Sequence, residues 1–259
     1  SVRLFDIIDP LNPLPLVDIP TASAGAVMTM RESVIWLLGT PSAGLWRIDF
    51  TDLNNIQQTH FSIGAGGTTS TVRMEAHGDL LFVITSSNIR IYDTSDPTQL
   101  PLLVDLNPHI VPTALYKGIM VAGNRVYSAT TSGSPTDSTQ FSIWDISDPT
   151  TPVLISTTEF PLMPFYFRLN EKPPAQPMGT LIFADGRPTS TQTVNFPIID
   201  VSNESFPVVI GGIATGLTSS NGWLRHVGTT AYVAIGGDIY VYDLSVPSAP
   251  VQRFHGSAV

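Results

Sequence analysis

Residues 144–153 read WDISDPTTPV. Asp145 and Asp148 stand three apart, Pro149 and Pro152 stand three apart, and the apolar run FSIW ends just inside the stretch. Such residues suit a metal loop, an active-site turn or a scaffold turn. The number of copies decides between them. Asp6–Pro10 reads DIIDP, Asp49–Leu53 DFTDL, Asp93–Pro97 DTSDP, Asp145–Pro149 DISDP, Asp200–Glu204 DVSNE and Asp243–Pro247 DLSVP. The first Asp residues of these six copies lie 43, 44, 52, 55 and 43 residues apart. A period of about 40–50 residues with strand-like content predicts a β-propeller.

Each copy follows a short apolar run (VRLF, LWRI, IRIY, FSIW, FPII, IYVY) and precedes another (PLPLVDI, NIQQTHF, LPLLVDL, TPVLIST, FPVVIGG, APVQRFH). These runs favour β-branched and aromatic residues, as strands do. The motif therefore joins two adjacent strands. Asp6, Asp49, Asp93, Asp145, Asp200 and Asp243 open it, and Asp9, Asp52, Asp96 and Asp148 stand at its fourth position. An Asp side chain can accept from the backbone N–H two residues on, forming an Asx-turn. Pro fixes φ and stops the strand. The reading is a structural turn. Calcium needs roughly six to eight oxygen ligands, more than one turn offers. The last two copies also lack the second Asp.

Two further strands precede each copy after the first. They read AVMTMRE and VIWLLGT, TVRMEAH and LLFVITS, GIMVAGN and RVYSATT, FYFRLN and TLIFADG, WLRHVG and AYVAIGG. Turns such as HGD, GNR and GTT separate the members of a pair. Each full unit is thus four strands, and no helical periodicity competes. The expected fold is all-β: one propeller domain over residues 1–259 with six four-stranded-type repeat units. Their approximate limits are 1–20, 21–64, 65–107, 108–160, 161–213 and 214–259.

The bulk numbers agree. The chain has 259 residues and 42% apolar content, enough for a core. Only 13% is charged, against about 25% in an ordinary soluble domain. Ser and Thr carry much of the polarity, which leans toward an extracellular or cell-surface setting. A net charge of −9 and twelve scattered Lys and Arg exclude a nucleic-acid stripe. Cys is absent, removing disulfides and Cys-ligated metal. No apolar run reaches membrane-span length. No charged-then-apolar leader opens the chain, so mature, trimmed and cytosolic forms all fit.

An apolar strand, then D-x-S-D-P-x-x-P, then an apolar strand resembles the LVIVD-repeat β-propeller family. The best matches are IRIYDTSDPTQLPLL, FSIWDISDPTTPVL and IYVYDLSVPSAPV. The second and fifth copies are degraded. The resemblance implies the propeller fold and a secreted or surface setting. It supplies no catalytic motif, and a fold does not specify a function.

The chain also departs from its own pattern. It holds six third-plus-fourth strand pairs but five first-plus-second pairs, that is, five full blades plus a half blade. A blade without inner strands exposes unpaired edges. Three explanations are open: a longer polypeptide, strands donated by another chain, or a tolerated two-stranded blade. Val2, Arg3, Leu4 and Phe5 form the expected assembly edge.

Ligand-binding candidates come from the loops 131–140, 186–195 and 212–223, expected on one face, with Asp137, Asp185, Arg187 and Trp223 in or beside them. Polar loops beside an aromatic platform suit a glycan; solvated connections are the plainer reading. NEKPPAQPMG, residues 170–179, reads as a stiff loop. His60, His77, His109, His226 and His255 show no metal-binding spacing. Arg73, Glu75, Arg168 and Arg225 fall on innermost strands without an identifiable nucleophile. Asn203-Glu204-Ser205 matches a glycosylation pattern but lies inside a repeat turn. No catalytic residue, metal or cofactor is assigned. The leading reading is a non-catalytic binding and assembly scaffold with a protein partner or self-association. A carbohydrate-binding module is second, and a hydrolase or lyase with a cross-blade metal is third.

Overall fold

A computed structural model describes residues 2–9, 11–20, 27–38, 44–63, 73–85, 88–106, 115–131, 139–160, 181–183, 194, 196–217 and 222–257. Every regular element among them is a β-strand. They divide into two compact units, one of residues 1–85 with 89–106 and one of residues 86–88 with 107–259.

The first unit opens with a hairpin of β1 (Val2–Asp6) and β2 (Leu14–Ile19). A four-stranded sheet follows, β3 (Val27–Arg31), β4 (Val34–Leu38), β5 (Leu45–Asp49) and β6 (Gln57–Phe61), hydrogen-bonded in that order. A second repeats it with β7 (Arg73–His77), β8 (Leu80–Ile84), β9 (Ile89–Asp93) and β10 (Leu102–Leu106). The other unit contains a four-stranded sheet of β11 (Leu115–Ala122), β12 (Arg125–Thr131), β13 (Thr139–Asp145) and β14 (Val153–Phe160). Three described strands follow in one sheet, β15 (Leu181–Phe183), β16 (Phe196–Asp200) and β17 (Val208–Ile213). The last sheet is β18 (Gly222–Val227), β19 (Thr230–Ile235), β20 (Asp238–Asp243) and β21 (Val251–Ser257). All pairings are antiparallel between consecutive strands. The predicted strand FYFRLN lies outside the described residues.

The strand sequences follow from their places. Second strands sit inside the sheet with both faces covered, so β4 (VIWLL) and β8 (LLFVI) are apolar at every position and nearly all buried. Fourth strands lie at the outer edge, so β6 (QQTHF) and β21 (VQRFHGS) carry polar side chains in solvent.

Cores form where sheet faces meet. In the first unit Trp36, Leu38 and Leu45 pack on Met74, Leu81 and Val83, while Ile35 and Ile48, on the opposite face, pack on Val2, Leu4, Val17 and Ile19. In the second unit Phe141 and Ile143 pack with Ile199 and Val201, and Phe196 and Ile198 with Leu224 and Val233.

First and second strands join through two-residue turns. Gly78, Gly123 and Gly228 lead three of them with φ of 59°, 55° and 57°. The hairpin preference for glycine at such a position is steric, because a Cβ crowds the backbone there. In the β3–β4 turn that place holds Glu32 at φ 51°. This turn is thus the strained member of the set.

Candidate functional site

The six repeat turns are built by local hydrogen bonds. The N–H of the third residue donates to the first Asp in every copy: Ile8 to Asp6 and Ser95 to Asp93 at 2.8 Å, Thr51 to Asp49 at 3.0 Å, and Ser147, Ser202 and Ser245 to Asp145, Asp200 and Asp243 at 2.8 Å. The fourth residue repeats the device in five copies: Leu11, Asn54, Thr98, Thr150 and Ser205 donate to Asp9, Asp52, Asp96, Asp148 and Asn203. Val246 replaces it in the last copy, yet the β-turn bond from Ala249 N–H to the Val246 carbonyl remains. One carboxylate oxygen of each of these Asp residues is thus engaged within its own turn. Among the described residues no group of three or more His, Cys, Asp and Glu is placed to hold a metal.

These bonds lower the pKa of several of these carboxyls. Asp9 is held down first by the Asn12 side chain, Asp145 by the Ser147 hydroxyl, and Asp96 and Asp148 by the Thr98 and Thr150 hydroxyls. Asp93 is lowered chiefly by the Ser95 N–H. Asp243, paired to Arg253 and bonded to Ser245, falls from 3.8 to about 2. The carboxyls just named thus bind protons more weakly in the folded chain than in the unfolded one. The stability they add is fully present above the unfolded value of 3.8 and is lost as pH falls through the folded values, to about 2 at Asp243. The expected unfolding temperature is flat from pH 7 to pH 5 as far as these groups decide it, and drops steeply between pH 3.8 and 2. A thermal melt series across this range checks it.

The other sequence candidates scatter. Asp137, Asp185, Arg187, His109, Arg168 and residues 170–179 lie outside the described residues. Trp223 falls on β18, opposite Ala234 of β19. His77 ends β7, and His226 is buried on β18. His60 lies against Trp46, ring centroids 4.7 Å apart. His255 stacks flat on Tyr240 at 4.4 Å, with its Nε2 3.2 Å from Asp238. Glu204 leaves the glycosylation-like triplet through a bidentate contact to Arg125 Nε at 2.8 and 2.9 Å, tying the fifth turn to β12. Sequence spacing could not show this pair, which is 79 residues apart in the chain.

The distinctive surface is the first hairpin. β1 pairs with β2 on one side. Among the described residues no strand pairs with its other side. Its residues alternate, Val2 and Leu4 toward Ile35 and Ile48, Arg3 and Phe5 outward. Arg3 pairs with Asp18 across the strands at 2.7 Å. Phe5, Ile7, Ile8, Leu11, Leu14 and Leu16 are all exposed. The other copies hold Ser or Thr at the position of Ile8, and Asn, Thr or Ser at that of Leu11. That comparison was the available sequence signal.

Repeated four-stranded meanders joined by these turns are the blades of a β-propeller. The sequence model of the LVIVD repeat matches residues 117–159, 192–215 and 227–255, which include the fourth, fifth and sixth turns. Over these segments the chain carries LVIVD repeats. None of the curated proteins matches its sequence. Among solved structures, a protein from Lactobacillus plantarum aligns with a TM-score of 0.67 at 11% identity, over 90% of this chain and 71% of that one. A functionally unknown protein from Desulfotomaculum acetoxidans aligns with a TM-score of 0.64 at 12% identity, over 92% and 72%. Hsv2 from Kluyveromyces lactis aligns with a TM-score of 0.63 at 11% identity, over 97% and 79%. At such identities the likeness concerns the fold alone. No described helix is long and apolar enough to cross a membrane.

Proposed function

We propose that this chain is a non-catalytic binding and assembly scaffold working outside the cell or at its surface, a propeller of five full blades and one half blade. The observation that carries the reading is the free side of β1. A strand edge in water offers unpaired N–H and C=O groups to any strand that arrives, and proteins that leave one open use it or protect it. Here it is unprotected: Val2–Asp6 contains no Pro and one cation, and Arg3 is already paired. The low charge content and the Ser/Thr-rich surface support an extracellular setting.

Native mass spectrometry of the full protein from its natural source tests this. A complex heavier than one polypeptide is expected, and placing a charge on the edge strand by Phe5→Lys, at a side chain that is 46% exposed, is expected to weaken it. A single polypeptide in both samples sinks the proposal.

A further inference from the structure

The fifth repeat turn departs from its fellows in chemistry while keeping their shape. Its fourth to sixth residues are Asn203, Glu204 and Ser205, where the third and fourth turns read Asp96-Pro97-Thr98 and Asp148-Pro149-Thr150. The hydroxyl residue is common to all three. Two changes set the fifth apart, an amide in place of a carboxylate and the loss of the central Pro. Together they create Asn-x-Ser with no Pro at the centre, the acceptor pattern for an N-linked glycan. Neither change alone creates it.

Each change has a local consequence. In three turns the fourth residue uses both of its carboxylate oxygens. One accepts from the backbone two residues on. The other accepts from the side chain three residues on, Asn12 donating to Asp9 at 2.8 Å, Gln99 to Asp96 at 2.9 Å and Thr151 to Asp148 at 2.8 Å. Asn203 keeps only the first kind of bond, from the Ser205 N–H at 3.2 Å, the longest of its kind in the six turns. Three residues on stands Phe206, whose side chain has nothing to donate or accept. Asn203 is exposed, and its Nδ2 has no partner among the described residues. The contact of Glu204 with Arg125 at 2.8 and 2.9 Å accounts for the missing Pro. It does not account for the amide, because a carboxylate is the stronger acceptor for the Ser205 N–H. Phe206 is 72% exposed, and the turn bond from its N–H to the Asn203 carbonyl, 3.0 Å, keeps it beside the amide. A bare ring in water gains from apolar surface laid over it, and the C–H face of a sugar is such a surface.

We propose that Asn203 is a glycosylation site, an inference that rests on the extracellular reading above. The donor is a lipid-diphosphate-linked glycan. The bond from the sugar's anomeric carbon to the diphosphate oxygen breaks, and its electron pair leaves with the lipid diphosphate. The anomeric carbon bonds to Asn203 Nδ2, which gives up one proton. Oδ1 is untouched, so the Ser205 bond and the turn survive the modification.

The test is made on the full protein from its natural source, after the cell fraction that holds it has been identified. Peptides spanning residue 203 are weighed before and after an amidase that cuts sugar from asparagine and leaves Asn203→Asp. The triplet occurs once in the 259 residues, so the assignment is unambiguous. The expected result is a glycan mass on that peptide, lost on amidase treatment and absent from a Ser205→Ala variant made in the same cells. That variant keeps the Asn203 amide and the backbone bond that forms the turn, so it folds. Glycan retained by Ser205→Ala overturns the proposal, because the triplet then does not direct the transfer. An unmodified peptide in protein recovered from outside the cell also overturns it and leaves the extracellular reading standing. Unmodified protein confined to the cell interior overturns both.

Discussion

Truncating Phe141 to Ala is expected to destabilise the 107–259 unit by about 3–5 kcal/mol, the range for a large aromatic removed from a packed core. Phe141 is fully buried on β13. Tyr127 lies across the strand pair with its ring centroid 6.2 Å away, and Phe160 lies 5.9 Å away. Met120, Ile143, Ile199 and Val201 complete its surroundings, so the core joins two sheets of the unit. Removing the ring leaves a void between rigid strands that cannot close, and dispersion contacts are lost on every side. Leu154 on β14 provides the control. It is 43% exposed, and its truncation should cost well under half as much. Chemical denaturation monitored by tryptophan fluorescence measures both. Equal losses at the two positions would mean that this core does not hold the sheets together.

Much of this architecture was legible because it is local. An Asp followed by Ser or Thr makes its turn with its own neighbours, so Asp145 reads the same in any context, and β1, β5, β9, β13, β16 and β20 all end on that Asp. The continuous apolar runs VIWLL and LLFVI likewise announce strands covered on both faces. What distance creates was not legible. Glu32 ends the predicted strand AVMTMRE, yet it lies in the turn, in a conformation that three equivalent turns give to glycine. The Arg125–Glu204 contact depends on packing between sheets. The register of β11 slips between Tyr116 and Gly118, and the strand begins at Leu115, before the run that predicted it. Val2–Phe5 was identified as an edge by counting strands. Met28 and Met30 stand 58% and 59% exposed on β3, and a strand sequence does not say which of its faces is covered. The polar loops with Asp137, Asp185 and Arg187 lie outside the described residues, so the structure adds nothing to the glycan reading.

Replacing Ile8 by Ser and Leu11 by Thr should move stability and assembly in opposite directions. In most of the other turns these positions carry hydroxyls, several of which reinforce the Asx-turn. Ser147 Oγ reaches Asp145 at 2.6 Å, Thr98 Oγ1 reaches Asp96 at 2.7 Å, and Thr150 Oγ1 reaches Asp148 at 2.6 Å. Ile8 and Leu11 keep only the backbone bonds, to Asp6 at 2.8 Å and Asp9 at 3.0 Å. The first turn therefore forgoes two local bonds and holds two apolar side chains in water. Neither choice benefits the isolated chain, since exposed apolar groups gain nothing until they are covered. The double substitution restores the repeat chemistry and should raise the unfolding temperature by about 2 to 4 °C. It also removes apolar surface beside the open edge of β1, and apolar area that is no longer buried weakens an interface. The natural complex should weaken by roughly tenfold or more, read as a shift in dissociation midpoint by light scattering or native mass. A residue that costs stability and serves binding shows this opposition, whereas a residue kept for folding loses both together. If the unfolding temperature falls and the complex is unchanged, Ile8 and Leu11 belong to the fold of the hairpin, and the partner surface lies elsewhere.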